Sequence, residues 1–359
     1  MNRIVCDASV GRIAKNKTPN EIGVDRSGMY CYRFLFYMGA RYRFVPPDQR
    51  KSICRGAVGL IFEFVRDDGC IVSQSASTAL PDSVVLKVSR SESFSSIWRE
   101  CIDTVSMCED EKCDTLVAST PLNIVCKQTG FRVGKVIKDR QNLYTCFCVM
   151  PKYHDNLQRY TQRHDIRNTL KQGGEAEISR LLKTLLHTVI HLYKRGYIYA
   201  DLKLCNILVS KPADDDPRYL LGDVGGIYSI DTQEKILSTF PPPSQVDHSW
   251  EHANVAWPFA TLTIEYITAI FALNDLRCHL YQYMVYRIYV DDNDRRLHAL
   301  RIRDDMAMFE DVIPDDWCVI KHMYAFCLNE DRVRDLSYLE VYNTLLTMIL
   351  SSSDDSKES

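Results

Sequence analysis

Four residues near the middle of the chain carry side chains that a phosphate-transfer reaction requires. Asp201, Lys203 and Asn206 lie in the segment Asp-Leu-Lys-Leu-Cys-Asn, and Asp223 follows seventeen residues after Asn206. Phosphoryl transfer needs a carboxylate to orient the attacking hydroxyl, oxygen ligands for Mg²⁺ and a cation near the transferred group. The four side chains supply these types, so this region is the candidate site for such chemistry.

The elements that must position these residues fall into two parts of different character. Before residue 150, short β-branched and aromatic runs predict a small antiparallel sheet. Apolar residues at spacings of three and four within 91–108 predict one main helix beside it. The sheet begins with a hairpin formed by 60–65 and 83–90 around a polar loop, 67–82, and continues with strands at 123–128, 131–137 and 143–150.

The part after residue 150 is predicted to be mainly helical. Residues 178–196 have a strong helical pattern that ends at Gly196, a residue suited to a helix C-cap. The apolar run 257–273 resembles a membrane span, but its Pro258, three threonines and Glu265 favour a buried helix. Helical periodicity continues through 278–290, 296–310 and 335–350.

These patterns predict an α+β chain with four segments. Residues 1–50 have no strong periodicity and are assigned to an N-terminal extension, which either packs on the small lobe or acts separately. Residues 51–150 form a small lobe that contains the sheet, and 151–350 form a larger helical lobe. The polar end, 351–359, is predicted to be disordered.

A second set of motif residues lies upstream of Asp201. Residues 54–61 contain Gly56 and Gly59, and backbone N–H groups at such a turn can approach phosphate oxygens because glycine has no side chain. Lys87 ends the run Val-Val-Leu-Lys, and Glu100 lies on the predicted helix. In this order, the motifs resemble those of the protein kinase superfamily over about residues 54–265, including Asp-Val-Gly at 223–225 in place of Asp-Phe-Gly.

The resemblance implies a bilobal protein-kinase-like fold and an ATP site in the small lobe. Lys87 would bind the α- and β-phosphates and would be held by Glu100. A glycine-rich loop would cover the nucleotide, and the hinge that binds adenine would lie around Met150. The loop positions are Cys54, which replaces the first glycine, Gly56, Gly59 and Ile61.

The resemblance also implies an ATP- and Mg²⁺-dependent serine/threonine protein kinase. Asp201 would be the catalytic base, and Lys203 would steady the γ-phosphate. Asn206 and Asp223 would bind Mg²⁺. A lysine two residues after the aspartate is the serine/threonine-type choice in this family and favours a protein substrate over a small molecule.

Several positions depart from the family pattern. Tyr199 and Ala200 replace His-Arg before Asp201, and Ser244 stands where Ala-Pro-Glu has its glutamate. Without the arginine, we expect that activity does not depend on phosphorylation of the activation segment. These departures leave open an alternative function, a pseudokinase scaffold that binds nucleotide or partner proteins without catalysis.

Single motif residues also have simpler interpretations. Aspartate and asparagine are common in turns and caps, Glu100 could lie on the solvent face of its helix, and Gly56 and Gly59 could mark only a hairpin turn. Lys87 could be a charge that protects an edge strand from aggregation. The ordered set of motifs beside matching apolar runs favours the site over these alternatives.

A rival metal motif occurs at residues 248–252. His248-Ser-Trp-Glu251-His252 spells the His-x-x-Glu-His pattern of a zinc peptidase, which requires a long helix. It follows three consecutive prolines, so the context disfavours this interpretation. His187 and His191 share a predicted helix face, but Thr188 stands where that pattern needs glutamate.

Composition and charge exclude several other classes of protein. The chain has 359 residues, of which 46% are apolar and 25% charged, as in a globular protein. A net charge of −3 offers no general attraction to nucleic acid or membranes, so neither is predicted as a partner. The fourteen cysteines include no Cys-x-x-Cys pair, and no signal peptide is recognisable, so we expect free thiols in an intracellular protein, cytoplasmic or nuclear.

Overall fold

The chain forms two compact units, residues 1–113 with 118–152 and residues 114–117 with 153–359. Both units contain β-strands, and the second also contains several helices, which confirms the predicted α+β class. In this computed structural model the described residues are 34–37, 40–45, 59–71, 81–89, 123–124, 132–135, 142–144, 147–210, 218–222, 226–230, 253–278, 280–281 and 304–355.

The first unit is built around a six-stranded sheet in which every pairing is antiparallel. The strands of the first unit are β1 (Phe34–Tyr37), β2 (Ala40–Phe44), β3 (Gly59–Ile71), β4 (Ser83–Ser89), β5 (Asn123–Ile124), β6 (Arg132–Lys135), β7 (Asn142–Tyr144) and β8 (Phe147–Pro151). Strands β6 and β7 pair with each other in a separate small sheet. The order in the large sheet is β1-β2-β3-β4-β8-β5.

The predicted hairpin of the first unit is formed by β3 and β4. Phe64 pairs with Val84, and both side chains are fully buried, so the apolar runs supply the core as expected. β3 continues to Ile71, although the sequence assigns residues from 67 onward to the loop. The last residues of β3 pair with β2, and these ladder hydrogen bonds extend the strand through a polar stretch.

Residues 34–37 and 40–44, which the sequence assigns to the N-terminal extension, form two strands of this sheet, so this part of the extension packs on the small lobe. Tyr42 is buried while its neighbour Arg43 is exposed, which is the alternation of a half-buried strand. The Tyr42 hydroxyl donates to the Pro81 carbonyl at 2.9 Å and ties β2 to the start of β4. A period-two pattern this short is easily missed among mixed residues.

The second unit contains two small sheets and a set of helices. The sheets have the orders β12-β11-β9 and β10-β13. The strands are β9 (Asp155–Asn156), β10 (Tyr197–Tyr199), β11 (Ile207–Ser210), β12 (Arg218–Leu221) and β13 (Ile227–Ser229). Its helices include α1 (Leu157–Tyr160), α2 (His164–Tyr193), α3 (Ala253–Ile270), α4 (Cys318–Leu328), α5 (Glu330–Arg334) and α6 (Tyr338–Asp355), with 3₁₀ turns at Leu204–Asn206 and Phe309–Val312.

Helix α3 forms the centre of the second unit, and α2, α4 and α6 pack against it. Every residue from 255 to 270 is buried, so the helix is covered on all faces. This confirms the prediction that the apolar run 257–273 contains a buried helix. Among the helices that the structure describes, none combines the length and apolar character needed to cross a bilayer.

Two helix boundaries differ from the sequence prediction. Helix α2 begins at His164 rather than at 178, because helical structure lies on both sides of a kink at Gly174, where φ is 57° and ψ is −140°. Helix α6 continues to Asp355, whereas the sequence predicts disorder from 351. The Ser351 hydroxyl donates to the Thr347 carbonyl at 2.7 Å and helps to extend this last turn.

Gly196, just beyond the end of α2, supplies a test of local backbone strain. Its φ is +83°, and no atom lies within 4 Å of the position that a Cβ would occupy. We therefore expect Gly196→Ala to lower the free energy of unfolding by about 1 kcal/mol through backbone strain alone. Urea denaturation should show a smaller loss for Gly196→Asn, since asparagine tolerates this conformation better. An alanine variant as stable as the parent would contradict this account.

Candidate functional site

The segment between β10 and β11, named here the Asp201–Asn206 loop, alternates between buried and half-buried residues. Leu202 and Leu204 are buried in the core, while Asp201 and Lys203 are half-buried. The backbone at Lys203 is extended, with φ −161° and ψ 158°, so successive side chains point to opposite sides. The leucines thus anchor the loop, and the polar residues between them lie on the other side.

Two of the predicted site residues contact the carboxylate of a third. Lys203 Nζ lies 2.6 Å from Asp201 Oδ2, and Asn206 Nδ2 donates to the same oxygen at 3.0 Å. Asn206 Nδ2 also donates to the Asp201 carbonyl at 2.9 Å, which closes the loop on itself. The Asp201 and Lys203 side chains are 16% and 18% exposed, so the ion pair is shielded yet still reachable from solvent.

Asn206 has an oxygen that suits cation binding. Its amide nitrogen is used twice by Asp201, while its Oδ1 accepts from the Cys205 thiol at 3.6 Å. A thiol is a weak donor, and amide oxygens are ligands that hard cations accept. Across the described ranges no group of three or more His, Cys, Asp or Glu residues could hold a metal, and Asp223, the second predicted ligand, lies outside those ranges.

The residue before the predicted metal turn is held against the loop. Gly222 N donates to the Asn206 carbonyl at 2.7 Å, and its own carbonyl accepts from the Tyr199 hydroxyl at 2.9 Å. Tyr199 lies in β10, two residues before Asp201. Gly222 therefore has hydrogen bonds to the last residue of the candidate loop and to a residue just before its start.

Gly226, the first described residue after 223–225, is held as well. Ala200 N donates to the Gly226 carbonyl at 2.9 Å, and Tyr199 pairs with Ile227 in the β10–β13 ladder. A Cβ added at Gly226 would lie 3.1 Å from Asp201 Cβ, so only glycine fits easily at this approach. The described residues on both sides of 223–225 thus contact the Asp201–Asn206 loop.

In the first unit, the backbone places two predicted ATP-site residues in direct register. Lys87 of β4 pairs with Ile61 of β3 on one side and with Cys148 of β8 on the other. Because β4 lies inside the sheet, the interpretation of Lys87 as an edge-strand charge is wrong. Gly59 pairs with Ser89, and Met150 pairs with Val85. Cys54, Gly56 and Glu100 lie outside the described residues.

Sequence reasoning missed the contact of Glu265 with the candidate loop. The sequence places this residue within an apolar helix, whereas in the structure Glu265 Oε2 accepts from Leu204 N at 2.7 Å. Burial raises the pKa of Glu265, and the hydrogen bonds from Tyr281 and Leu204 oppose that rise. The signal in the sequence is a single carboxylate inside an otherwise uncharged helix.

The rival zinc-peptidase motif stays a prediction, because His248, Glu251 and His252 lie outside the described residues. On α2, His187 is exposed and His191 is half-buried, as expected for residues near the solvent side of a helix. They remain ordinary helix residues.

Comparison with known proteins found no protein-family model and no curated protein that match this chain. The candidate site is therefore defined by the geometry of its own residues. That geometry consists of a carboxylate with an ammonium and an amide on one oxygen, held in a short loop.

Proposed function

We propose that this chain is an ATP- and Mg²⁺-dependent serine/threonine protein kinase with a bilobal kinase-like fold. The observation that supports it most is the convergence of Lys203 Nζ and Asn206 Nδ2 on Asp201 Oδ2. Isolated turn residues have no need of such an arrangement, whereas phosphate transfer needs these three groups within a few ångströms of one another.

Each group in the loop has a defined role in the proposed reaction. Asp201 orients a serine or threonine hydroxyl and takes up its proton as the oxygen attacks the γ-phosphorus of ATP. The new bond joins that oxygen to phosphorus, and the bond to the β-phosphate oxygen breaks to release ADP. Lys203 lies beside the carboxylate and offsets negative charge on the transferred group.

The chain also offers candidate ligands for the nucleotide and its metal. Asn206 Oδ1 and the Asp223 carboxylate would hold Mg²⁺, which when bound neutralises phosphate charge. Gly222 N donates to the Asn206 carbonyl and the Gly226 carbonyl accepts from Ala200 N, so the described residues on both sides of 223–225 lie beside the loop. This supports the pairing of the two ligands. In the first unit, Lys87 would bind the α- and β-phosphates. The residues proposed to complete that site are Glu100, Cys54, Gly56, Gly59, Ile61 and Met150.

The proposal is tested by phosphate transfer from labelled ATP. The purified chain, with Mg²⁺ and a generic protein acceptor, should transfer the label to serine or threonine residues of the acceptor. Binding of ATP without transfer would instead favour the pseudokinase scaffold. A chain that neither binds ATP nor transfers phosphate would contradict both functions.

Replacing Lys203 should cause a loss of activity of intermediate size. Replacing it with methionine keeps the length of the side chain but removes the cation 2.6 Å from Asp201. Because a charge-assisted hydrogen bond contributes about 1.5–3 kcal/mol, we expect Lys203→Met to lower kcat roughly 10- to 100-fold.

A matched lysine variant separates this effect from a general loss of charge. Lys194 is exposed at the end of α2 and lies outside the Asp201–Asn206 loop. Lys194→Met should keep the parental rate of transfer. If both variants lost activity equally, the proposed role of Lys203 would be wrong.

A further inference from the structure

Helix α3 contains a buried carboxylate among otherwise uncharged residues. Of its 18 residues, Glu265 is the only charged one, and its relative exposure is 0%. Burying a carboxylate costs free energy unless hydrogen bonds or opposite charges compensate. An apolar residue would suit a helix that is covered on all sides, so the position of this carboxylate calls for an explanation.

The threonine side chains of α3 form hydrogen bonds within the helix itself. The hydroxyls of Thr261, Thr263 and Thr268 donate to the carbonyls of Pro258, Phe259 and Ile264, at 3.0, 2.7 and 2.8 Å. Such bonds satisfy a buried hydroxyl without involving another segment. Glu265 differs from the threonines because its hydrogen-bond partners come from outside the helix.

Each oxygen of Glu265 accepts a hydrogen bond from a different segment. Oε2 accepts from Leu204 N at 2.7 Å, and Oε1 accepts from the Tyr281 hydroxyl. Tyr281 is itself held, since Gln158 Nε2 lies 3.4 Å from its oxygen and the Arg277 guanidinium lies 5.7 Å from the centre of its ring. Glu265 thus links α3, the candidate loop and the segment that follows α3.

The backbone N–H of Leu204 needs a hydrogen-bond acceptor from outside its own turn. It is the first N–H of the 3₁₀ turn Leu204–Asn206, and the cap residue Lys203 supplies no side-chain hydrogen bond there. The first N–H groups of a helical turn have no acceptor within the turn. Glu265 provides that acceptor at the peptide that joins Lys203 to Leu204, next to the Asp201–Lys203 ion pair.

We propose that Glu265 is a positioning residue that clamps the Asp201–Asn206 loop through the Leu204 amide and thereby fixes where Asp201 and Lys203 lie. The clamp as a structural device stands on the hydrogen bonds alone. Its effect on phosphate transfer rests on the proposed kinase function. A displaced loop would move Asp201 from the attacking hydroxyl, and misplacement of about 1 Å is sufficient to slow a reaction severely.

Hydrogen exchange of the full-length chain tests the clamp without reference to activity. In Glu265→Ala, the Leu204 amide should exchange about tenfold faster than in the parent, while amides of α6 should be unchanged. Glu265→Gln retains an acceptor for Leu204 and should restore most of the protection. Thr263→Val is the matched control on the same helix and should leave the loop unaffected.

Kinetics then test the positioning role. With Glu265→Ala, we expect kcat to fall about tenfold while KM for ATP stays within about twofold, and Glu265→Gln should recover the rate. Unchanged exchange at Leu204 in folded Glu265→Ala would overturn the clamp, and so would a rise spread evenly over the whole chain. Faster exchange at Leu204 in a chain that transfers no phosphate would uphold the clamp and reject the kinase.

Tyr281→Phe provides a second variant should Glu265→Ala fail to fold. It removes the Tyr281 hydroxyl that donates to Glu265 and leaves the carboxylate in place. The Leu204 amide should then exchange about threefold faster, because the carboxylate is less well held. Parental exchange at Leu204 in this variant would overturn the proposed network.

Discussion

Asp201→Asn should reduce phosphate transfer by about 10³-fold or more, because an amide cannot accept the proton of the attacking hydroxyl. The substitution preserves the size of the side chain, and its oxygen can still accept from Lys203 Nζ or Asn206 Nδ2, which contact Oδ2 in the parent. The loop should therefore keep its conformation. ATP binding should change little, since the residues proposed to hold the phosphates and Mg²⁺ are unchanged.

The measurement combines the rate of transfer with a binding titration of ATP. Asp316→Asn is a suitable control, because Asp316 is exposed in a loop of the second unit. It should retain full activity. An Asp201→Asn variant with the parental rate would show that another group takes the proton, and loss of both binding and folding would assign Asp201 a purely structural role.

The arrangement of the Asp201–Asn206 loop is predictable from sequence because it is local. Asp201, Lys203 and Asn206 lie within six consecutive residues. The alternation with Leu202 and Leu204 already separates a buried side of the segment from a polar side. Within so short a segment, Lys203 and Asn206 have little freedom to lie far from Asp201. The buried helix within 257–273 is predictable for a similar reason, since its apolar residues and threonines are contiguous in the chain.

Contacts between distant segments cannot be derived from spacing in the same way. Glu265 and Leu204 are 61 residues apart, and nothing in either local pattern identifies the other as its partner. The same holds for β4, because its pairing with β8 places Lys87 inside the sheet and removes an alternative that sequence alone leaves open. Tertiary packing decides these features, whereas periodicity decides only the elements.

Gly222→Ala should combine a large loss of stability with a large loss of activity. An added Cβ would lie 2.9 Å from Leu208 Cγ and 3.1 Å from the Asn206 carbonyl oxygen. The Leu208 side chain can move, but the Asn206 carbonyl is fixed by its 2.7 Å bond from Gly222 N. Overpacking of this kind costs about 1–3 kcal/mol, and we expect about 2 kcal/mol here in urea denaturation.

The same substitution should slow phosphate transfer about 100-fold, because a shift of the Asn206 backbone moves its side chain relative to Asp201.

A double-mutant cycle with Leu208→Ala distinguishes the steric clash with Leu208 from the clash with the Asn206 carbonyl. Removing the leucine makes room for the new methyl group, so the pair should be less destabilised than the sum of the single variants. The loss of activity should persist, since the collision with the Asn206 carbonyl remains. Additive losses of stability would show that Leu208 and residue 222 are not in contact, and parental activity in Gly222→Ala would show that the Asn206 backbone tolerates the added group.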